Sequence, residues 1–480
     1  MLKSFTYQPV TETSRPFAAA AETCGFAEKG YVEDEYFQTG TANVYEENPD
    51  LSPEILYPDA PYTTRVLIRR PADPGVFSGN VVIEILNSSA NIDIDRMWVN
   101  SWPFFMRNGD IYVGISSKGH VVDALKRFDP ERYAAINWAN PLPGRKPPEK
   151  SHFLFLPQYE SGLFWDMLID LAELLRSDSP ENPIAGYKAG EKGRYLYLTG
   201  WSQSGGYIAR MIRSFHDKVR FDGYLSAGSG PQYAPMNAYC PQDRNRSGLP
   251  AGSILGAPEP VIAINTESEN RHTFWYGDFD EPQFKFRTYQ IAASSHDTKY
   301  NLLDYYGEKG LAELERIGIH NAYYGVDGDP LDYPYEVIFN AAFHHLYRWV
   351  REGVPAPHAP KIETRMGDKP SGDPFGSFVA NKTDAFGNCK GGIRTPAADY
   401  PTGKYTSFST CADGRVMAMF GKVNPFPPEL LKLLYGSLGH YRELITEGCA
   451  DAVASGFMLP EDVDGFIERV VADAEKRGLS

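Results

Sequence analysis

The segment YLYLTGWSQSGGYIARMI, residues 195–212, joins a run typical of a buried strand to a helical run through a turn of glycine and serine. Two serines, Ser202 and Ser204, lie in that turn. A serine at the point where a strand passes into a helix can be exposed as a nucleophile, or it can simply cap the helix. The fold class and the chemistry of the chain both depend on which of these the turn does.

The phase of the strand favours Ser202 over Ser204 as the nucleophile. With Ser202 in that position, Gly200 ends the strand directly, and Gly205 falls where the helix must approach the sheet closely. With Ser204, the bulky Tyr207 would take the close-approach position, and the strand would have to run two residues longer. A serine replaces the second glycine of the usual motif, so a turn that only caps the helix stays an alternative.

Strand-like and helix-like runs alternate on both sides of this turn. Such alternation predicts βαβ units and a mostly parallel central sheet flanked by helices, an α/β fold class. Residues 159–176 are predicted to form a helix, because apolar residues recur at offsets 0, 3, 4, 7, 10 and 11 from Phe164. Another helix is predicted over residues 334–352. Strands are predicted at TTRVLIRR, NVVIEIL, DIYVGISS, RYLYLTG, FDGYLSAG, PVIAINT and FKFRTYQIAA.

The length of the chain, 480 residues, exceeds the ~250–300 residues at which a single hydrophobic core usually stops growing. We predict a β-rich leader over 1–60, a core over 61–355 and a C-terminal extension over 356–480 packed on the core. Segments 118–158 and 229–258 interrupt the alternation. Loops of that length are usually functional, so we predict that they form a cap over a pocket. The last predicted helix has one apolar face, formed by Val463, Phe466, Ile467, Val470, Val471 and Ala474.

The composition limits the possible partners. Apolar residues make up 42% and charged residues 23%, as in globular proteins, and the formal net charge is −15. With no Lys/Arg run longer than two residues, we expect neither nucleic acid nor an anionic membrane as a partner. The five cysteines are odd in number and far apart, which favours reduced thiols. We expect a cytoplasmic protein without a signal peptide. The sequence lacks the common motifs that bind nucleotides or metals, so we predict no cofactor.

Candidate partners for the serine follow it in the order acid, then histidine, which hydrolases with a serine elbow use. The predicted strand PVIAINT precedes Glu267 and Glu269, and the segment FRTYQIAASSHD places His296 after a later strand. We favour Glu269, because Glu267 comes directly after Thr266 at the turn and is too early to reach the ring. The carboxylate would orient the imidazole and stabilise its charged form. His120 is the main rival base, but it precedes the serine.

An oxyanion hole needs two hydrogen-bond donors. The backbone N–H of Gln203, directly after the nucleophile, is the first candidate. The second is expected from the loop NSSANIDID after the strand NVVIEIL, where Ser88 is the residue that we favour. Asn87 and Trp201 are candidate substrate contacts, although an aromatic residue in this position can equally be a packing residue.

Five separate blocks between residues 60 and 475 carry a resemblance to a known family. They are GWSQSGGYI, APYTTRVLIRRPADPGVFSGNVVIEILNSS, AASSHD, LYRWVREGVPAPHAP and DAFGNCKGGIRTPAADYP. They resemble bacterial proteins named only as alpha/beta hydrolase domain-containing proteins, whose elbow reads Gly-x-Ser-Gln-Ser-Gly-Arg. Here Gly206 replaces the final Arg. The elbow is also similar to the Gly-Cys-Ser-Thr-Gly-Gly of feruloyl esterases and tannases, whose nucleophile falls on Ser202. The resemblance implies an α/β-hydrolase fold and ester hydrolysis, but no particular substrate.

The sequence therefore predicts a serine hydrolase that cleaves a small-molecule carboxylic ester or lactone without a cofactor. Ser202 is the predicted nucleophile, His296 the base and Glu269 the orienting acid, with Ser204 and Glu267 as alternates. An amidase or an acyltransferase with the same residues is the nearest alternative. A catalytically silent binding protein with a hydrolase fold is the alternative from another class. Neither the substrate nor the oligomeric state follows from the sequence.

Overall fold

A computed structural model describes residues 1–17, 24–145, 156–230, 233–238, 257–270, 277–320, 328–366, 379–411 and 413–480. The chain divides into two compact units. The first unit comprises Met1–Val261, Glu281–Lys285 and Gly307–Ile319, and the second comprises Ile262–Asp280, Phe286–Tyr306 and His320–Ser480.

The strands of the described residues are numbered in chain order. They are β1 (Leu2–Gln8), β2 (Tyr31–Glu47), β3 (Pro53–Pro71), β4 (Asn80–Ile85), β5 (Ile111–Ile115), β6 (Tyr195–Trp201), β7 (Gly223–Ala227), β8 (Val261–Thr266), β9 (Phe279–Glu281), β10 (Phe284–Ile291), β11 (Asp329–Pro330), β12 (Thr364–Met366), β13 (Val379–Asn381), β14 (Gly403–Thr406), β15 (Ser409–Thr410), β16 (Val416–Met417) and β17 (Lys422–Pro425).

The α-helices are numbered in the same way. They are α1 (Arg96–Asn108), α2 (Val122–Phe128), α3 (Phe164–Arg176), α4 (Gln203–Ser214), α5 (Glu267–Asn270), α6 (Gly307–Arg316), α7 (Glu336–Glu352), α8 (Pro396–Asp399), α9 (Pro428–Tyr435), α10 (Leu438–Ala454) and α11 (Val463–Lys476).

The first unit is built on a sheet with the strand order β1-β2-β3-β5-β4-β6-β7. Strands β1, β2, β3 and β5 pair antiparallel, whereas β5, β4, β6 and β7 pair parallel. Every residue of β4, β5 and β7 is buried, as expected for parallel strands that are covered on both faces. All six predicted core positions of α3 are buried, which confirms the helical periodicity read from the sequence.

The second unit contains most of the strands β8, β10 and β9, which are neighbours in that order, and three small antiparallel sheets. Helix α7 confirms the helix predicted over 334–352. Helix α11 buries five of the six residues of its predicted apolar face, and Val463 at its first position is half-buried. Amphipathic periodicity therefore identified the buried faces of helices in both units.

Every strand predicted from the sequence is present, and the β-rich character of residues 1–60 agrees with β1, β2 and the first part of β3. The domain boundaries remain predictions, and the one after residue 60 falls inside β3. Segment 118–158 contains helix α2, and its residues 146–155 lie outside the described residues. Most of segment 229–258 also lies outside them, so the cap remains a prediction. No helix among the described residues is long and apolar enough to cross a bilayer.

Candidate active site

Ser202 occupies a strained position between β6 and α4. Its φ is +58° and its ψ is −120°, a backbone conformation that a residue with a side chain rarely adopts. Such a conformation costs about 1–3 kcal/mol and persists only where its surroundings enforce it. Its N–H donates to the Ala227 carbonyl at 2.8 Å, which ties the turn to the end of β7. Ser202 is partly exposed, whereas Ser204 is fully buried within α4.

Two glycines allow this turn to be as tight as it is. A Cβ on Gly200 would lie 2.7 Å from the Cβ of Ser204, and a Cβ on Gly205 would lie 2.4 Å from the Cβ of Ser229. The same Cβ on Gly205 would also lie 2.7 Å from Oγ of Ser226, in β7. All of these separations are too short for real atoms. The close approach of helix to sheet that the sequence assigned to Gly205 is therefore present, in the register that has Ser202 at the turn.

His296 and Glu269 form a buried pair in the second unit. Nδ1 of His296 lies 2.6 Å from Oε1 of Glu269, and both side chains are almost completely buried. Because a carboxylate can only accept, the ring proton lies on Nδ1, and Nε2 is the nitrogen able to take up a proton. The structure thus brings together the acid and the histidine favoured by the sequence, and it pairs Glu269 with the ring.

The other carboxylate oxygen of Glu269 is held at the turn after β8. Its Oε2 accepts from both the backbone N–H and the hydroxyl of Thr266, each at 2.7 Å. Burial raises the pKa of Glu269, but the charge of His296 and the hydrogen bonds from His296 and Thr266 lower it by more, so the net shift is downward. Glu269 therefore remains an anion beside the ring. Glu267 starts α5, and its N–H donates to Ser294 Oγ at 3.3 Å.

Ser268 supports the histidine, and sequence reasoning missed it. Its hydroxyl accepts from the backbone N–H of His296 at 3.0 Å and donates to the Ser407 carbonyl at 2.8 Å. Ala293, three residues before His296, has a φ of +57°. The turn that presents the imidazole is therefore strained, like the elbow at Ser202. In the sequence, only Ser202 in the elbow and the small residues before His296 indicated these turns.

The strained residues are concentrated in the segments that the sequence singled out. Five non-glycine residues in the described part of the chain have a positive φ, and three of them are Asn91, Ser202 and Ala293. Asn91 belongs to the loop after β4, where the second oxyanion donor was predicted. Because strained backbone tends to occur at functional sites, the three segments form a consistent set of candidates.

The backbone N–H groups of that loop have different partners. The N–H of Asn87 donates to the Ile94 carbonyl at 2.9 Å, and that of Ser89 donates to Oδ1 of Asn87 at 2.8 Å. Among the hydrogen bonds of the described residues, none uses the N–H of Ser88 as donor. Gln203, the first residue of α4, lies where a helix leaves its N–H groups without an intrahelical acceptor. Ser88 and Gln203 thus each retain a backbone donor, both within the first unit.

Buried ion pairs with β3 anchor the far end of the same loop. Arg65 contacts Asp93 at 3.1 Å, and Arg69 contacts Asp95 at 2.5 Å. Arg65 and Arg69 are four residues apart on a strand and so project from the same face of the sheet. Removing one member of such a pair leaves a buried charge uncompensated, so these arginines hold the loop firmly.

His120, the rival base, contacts the loop after β4. Its Nε2 lies 3.0 Å from the Ser88 carbonyl, so the ring donates from that nitrogen. Burial lowers the pKa of His120 to about 4, the Ser88 hydrogen bond opposes the shift, and the charge of Lys118 adds to it. A neutral, buried ring of this kind is a poor general base but a good hydrogen-bond donor to the loop.

The remaining candidates are buried. Trp201 is 1% exposed and Asn87 is 3% exposed, and the Asn87 amide is bonded to backbone groups. Their contact with a substrate remains a prediction. Arg394, in the block DAFGNCKGGIRTPAADYP, forms ion pairs with Asp384 and Asp399. Over the described ranges, no group of three or more His, Cys, Asp or Glu side chains could hold a metal ion.

Parallel strands, a strained serine between a strand and a helix, and a carboxylate–histidine pair define the α/β-hydrolase class. The chain belongs to the family described as "Alpha/beta hydrolase domain", which matches residues 6–468. This confirms the resemblance found in the sequence and the fold class, with its mostly parallel central sheet flanked by helices. No curated protein matches the sequence.

Several solved structures are distantly similar to this one. The esterase Est22 is 11% identical, with 52% of this chain and 65% of that chain covered and a TM-score of 0.29. A glucuronoyl esterase from Solibacter usitatus is 10% identical, with 66% and 86% covered and a TM-score of 0.31. An alpha-beta serine hydrolase homologue from Coxiella burnetii is 7% identical, with 47% and 73% covered and a TM-score of 0.24. The chain spans slightly less than two thirds of the length of Est22.

Proposed function

We propose that this protein is a cofactor-independent serine hydrolase that cleaves a small-molecule carboxylic ester or lactone through an acyl-enzyme. Ser202 is the nucleophile, His296 the general base and then the general acid, and Glu269 the orienting carboxylate. Backbone N–H groups of Gln203 and Ser88 stabilise the oxyanion. The family membership supports the hydrolase class, and the local geometry around each residue supports its role.

The buried Glu269–His296 pair is the observation that carries this proposal. Burying a carboxylate and an imidazole costs desolvation free energy, and such a pair is a poor source of stability. Perturbed titratable groups of this kind concentrate at functional sites. A protein that only binds a ligand has no need of a carboxylate that fixes the tautomer of a histidine. The pair therefore favours catalysis over the silent binding protein.

The reaction requires His296 Nε2 to take the proton of the Ser202 hydroxyl while Oγ attacks the substrate carbonyl carbon. The C–O bond to the alcohol then breaks, and the proton passes from Nε2 to the leaving oxygen, so that an alcohol departs and an acyl-enzyme remains. A water molecule then attacks the acyl carbon and gives a proton to Nε2, which returns it to Ser202 Oγ as the carboxylic acid leaves. The two oxyanion donors act in both steps.

Labelling with a fluorophosphonate probe tests the proposal directly, since the probe reacts with an activated serine and leaves a stable adduct. We expect one adduct, mapped by peptide mass spectrometry to Ser202, together with hydrolysis of short p-nitrophenyl esters. An adduct on Ser204 would contradict the assigned nucleophile. A folded sample with neither adduct nor hydrolysis would favour the binding protein instead. Hydrolysis of p-nitroanilides faster than esters would favour the amidase.

Replacing Glu269 with glutamine tests the orienting role of the acid. We expect kcat to fall by about 10³–10⁴-fold, because an amide can donate to Nδ1 and favour the tautomer whose Nε2 already carries a proton. The control is Glu259→Gln, since Glu259 contacts His216 at 2.8 Å in a similar pair that the proposed mechanism does not use. Should Glu267→Gln lose more activity than Glu269→Gln, the assignment of the acid would be wrong.

The free energy of unfolding of Glu269→Gln, compared with that of the wild type, should depend on pH in a characteristic way. The pKa of Glu269 is lowered in the folded state. Its stabilising contribution is therefore present above the ordinary pKa of glutamate and is lost as the pH falls through the lowered value. The difference in the free energy of unfolding between wild type and Glu269→Gln should be largest near neutral pH and should shrink in acid. Urea unfolding at a series of pH values measures it.

A further inference from the structure

The parallel ladder between β4 and β6 ends just before the two segments that carry the proposed oxyanion donors. Its last residue pair is Ile85 with Gly200. Beyond this pair, the N–H of Leu86 turns away and donates to the Ile115 carbonyl of β5. Backbone pairing with β6 therefore does not fix the position of Ser88 relative to the elbow.

The side chain of Asn87 makes the next connection. Its Nδ2 donates to the Trp201 carbonyl at 2.9 Å, and its Oδ1 accepts from the N–H of Ser89 at 2.8 Å. An asparagine amide has the same planar donor–acceptor arrangement as a peptide group. The Asn87 side chain thus replaces a backbone hydrogen bond between the loop after β4 and Trp201, the residue that directly precedes Ser202. Asn87 is 3% exposed, so water has little access to these bonds.

Other contacts of the loop do not provide the same link. The Ser204 hydroxyl donates to the Leu86 carbonyl at 3.4 Å, which is long for an O–H···O hydrogen bond. The bond from His120 to the Ser88 carbonyl holds the loop to the segment after β5. The two aspartates at the end of the loop attach it to β3. Among these contacts, the hydrogen bond from Asn87 to the Trp201 carbonyl is the short one that joins the loop to the elbow.

We propose that Asn87 is a positioning residue that sets the separation between the N–H groups of Ser88 and Gln203, the two donors of the oxyanion hole. The inference rests on the proposed function and assigns Asn87 a role that differs from substrate contact. Stabilisation of the oxyanion depends strongly on distance, because the donors must lie about 2.7–3.1 Å from the position that the charged oxygen occupies. If the Asn87 bond to Trp201 is lost, both N–H donors remain, but the distance between them is no longer fixed.

The test uses Asn87→Asp and Asn87→Ala in the full chain. Aspartate keeps an acceptor for Ser89 but places an oxygen against the Trp201 carbonyl, so it breaks the link selectively. Asn182→Asp and Asn182→Ala are the controls. Asn182 is equally buried, and its amide also joins backbone groups, with bonds to the carbonyls of Leu175 and Ser177 and from the N–H of Ile184.

For each variant, kcat and KM for p-nitrophenyl butyrate are measured per active site, as titrated with a fluorophosphonate, so that unfolded protein is not counted. Inhibition by a trifluoromethyl ketone, which forms a tetrahedral adduct with the serine, reports the oxyanion hole itself. We expect both Asn87 variants to lose about 10²-fold in kcat and a similar factor in affinity for the ketone, with KM within about two-fold of wild type. The Asn182 variants should retain wild-type kcat.

Either of two results would overturn the inference: an Asn87→Asp enzyme with wild-type kcat and ketone affinity, or an equal loss in Asn182→Asp. A loss confined to KM would also contradict it and would restore substrate contact as the role of Asn87. Failure of the proposed function looks different, because the wild type itself would then show neither hydrolysis nor an adduct.

Discussion

Ser202→Ala is expected to lower kcat for a p-nitrophenyl ester by about 10⁵–10⁶-fold and to abolish labelling by a fluorophosphonate. The alanine removes the only atom that forms the acyl-enzyme in the proposed mechanism, whereas the oxyanion donors and the binding surface remain. Residual activity of about 10³–10⁴-fold over water is therefore expected. Because the backbone at this position has a positive φ whatever the side chain, alanine retains the strain and the variant should fold like the wild type.

Ser204→Ala is the matched control for Ser202→Ala. Ser204 is fully buried, and its hydroxyl has one long hydrogen bond, to the Leu86 carbonyl. Loss of that bond should change kcat by only a few-fold. The reverse pattern, with activity retained in Ser202→Ala and lost in Ser204→Ala, would show that the elbow had been placed two residues too early.

His296→Ala is expected to lower kcat to a similar extent, about 10⁵–10⁶-fold, and to slow fluorophosphonate labelling of Ser202 strongly. A serine hydroxyl is a weak nucleophile unless a neighbouring base takes its proton, so the serine alone should be almost inert. The variant also leaves the buried Glu269 without its partner. We therefore expect a lower free energy of unfolding, by about 3–5 kcal/mol, which urea unfolding measures.

The control for this variant is His216→Ala. His216 also contacts a glutamate, Glu259, through a nitrogen–oxygen distance of 2.8 Å, yet it lies outside the proposed site. The His216→Ala variant should react with the fluorophosphonate and hydrolyse the ester at wild-type rates. If His296→Ala labelled as fast as His216→Ala, another base would activate the serine. The double variant Ser202→Ala/His296→Ala should be no less active than either single variant, because the two residues act as one unit.

The elbow could be read from the sequence because local sterics restrict it. Gly200 and Gly205 are required by contacts with residues a few positions away or on the next strand, and only one register of the motif satisfies both. The helices α3 and α11 were predictable for a similar reason, since an apolar period of 3.6 residues matches the turn of an α-helix and not the two-residue alternation of a strand. The order of acid and histidine along the chain then directed attention to Glu269 and His296.

The supports of the site could not be read in this way. Asn87 bonds to a carbonyl 114 residues later in the chain, and Ser268 bonds to an N–H 28 residues later. The sequence suggested Asn87 only as a substrate contact and did not single out Ser268, because no periodicity or motif reveals partners so far away along the chain. His120 was noticed for its position after a strand, yet its contact with the Ser88 carbonyl depends on how two strands are paired. Tertiary contacts of this kind follow from the fold and not from local pattern.

The geometry around Ser202 also bears on how related sequences are found. A search for Gly-x-Ser-x-Gly would pass over this chain, because Ser204 stands where the pattern demands the second glycine. The packing at the elbow shows why the substitution is tolerated, since a side chain as small as that of serine fits there beside Gly200, while no Cβ fits at position 205. A pattern that fixes glycine at the positions two before and three after the nucleophile, and admits serine in between, would recover such elbows. A genome survey that uses the stricter pattern would miss this chain and any other hydrolase with the same substitution.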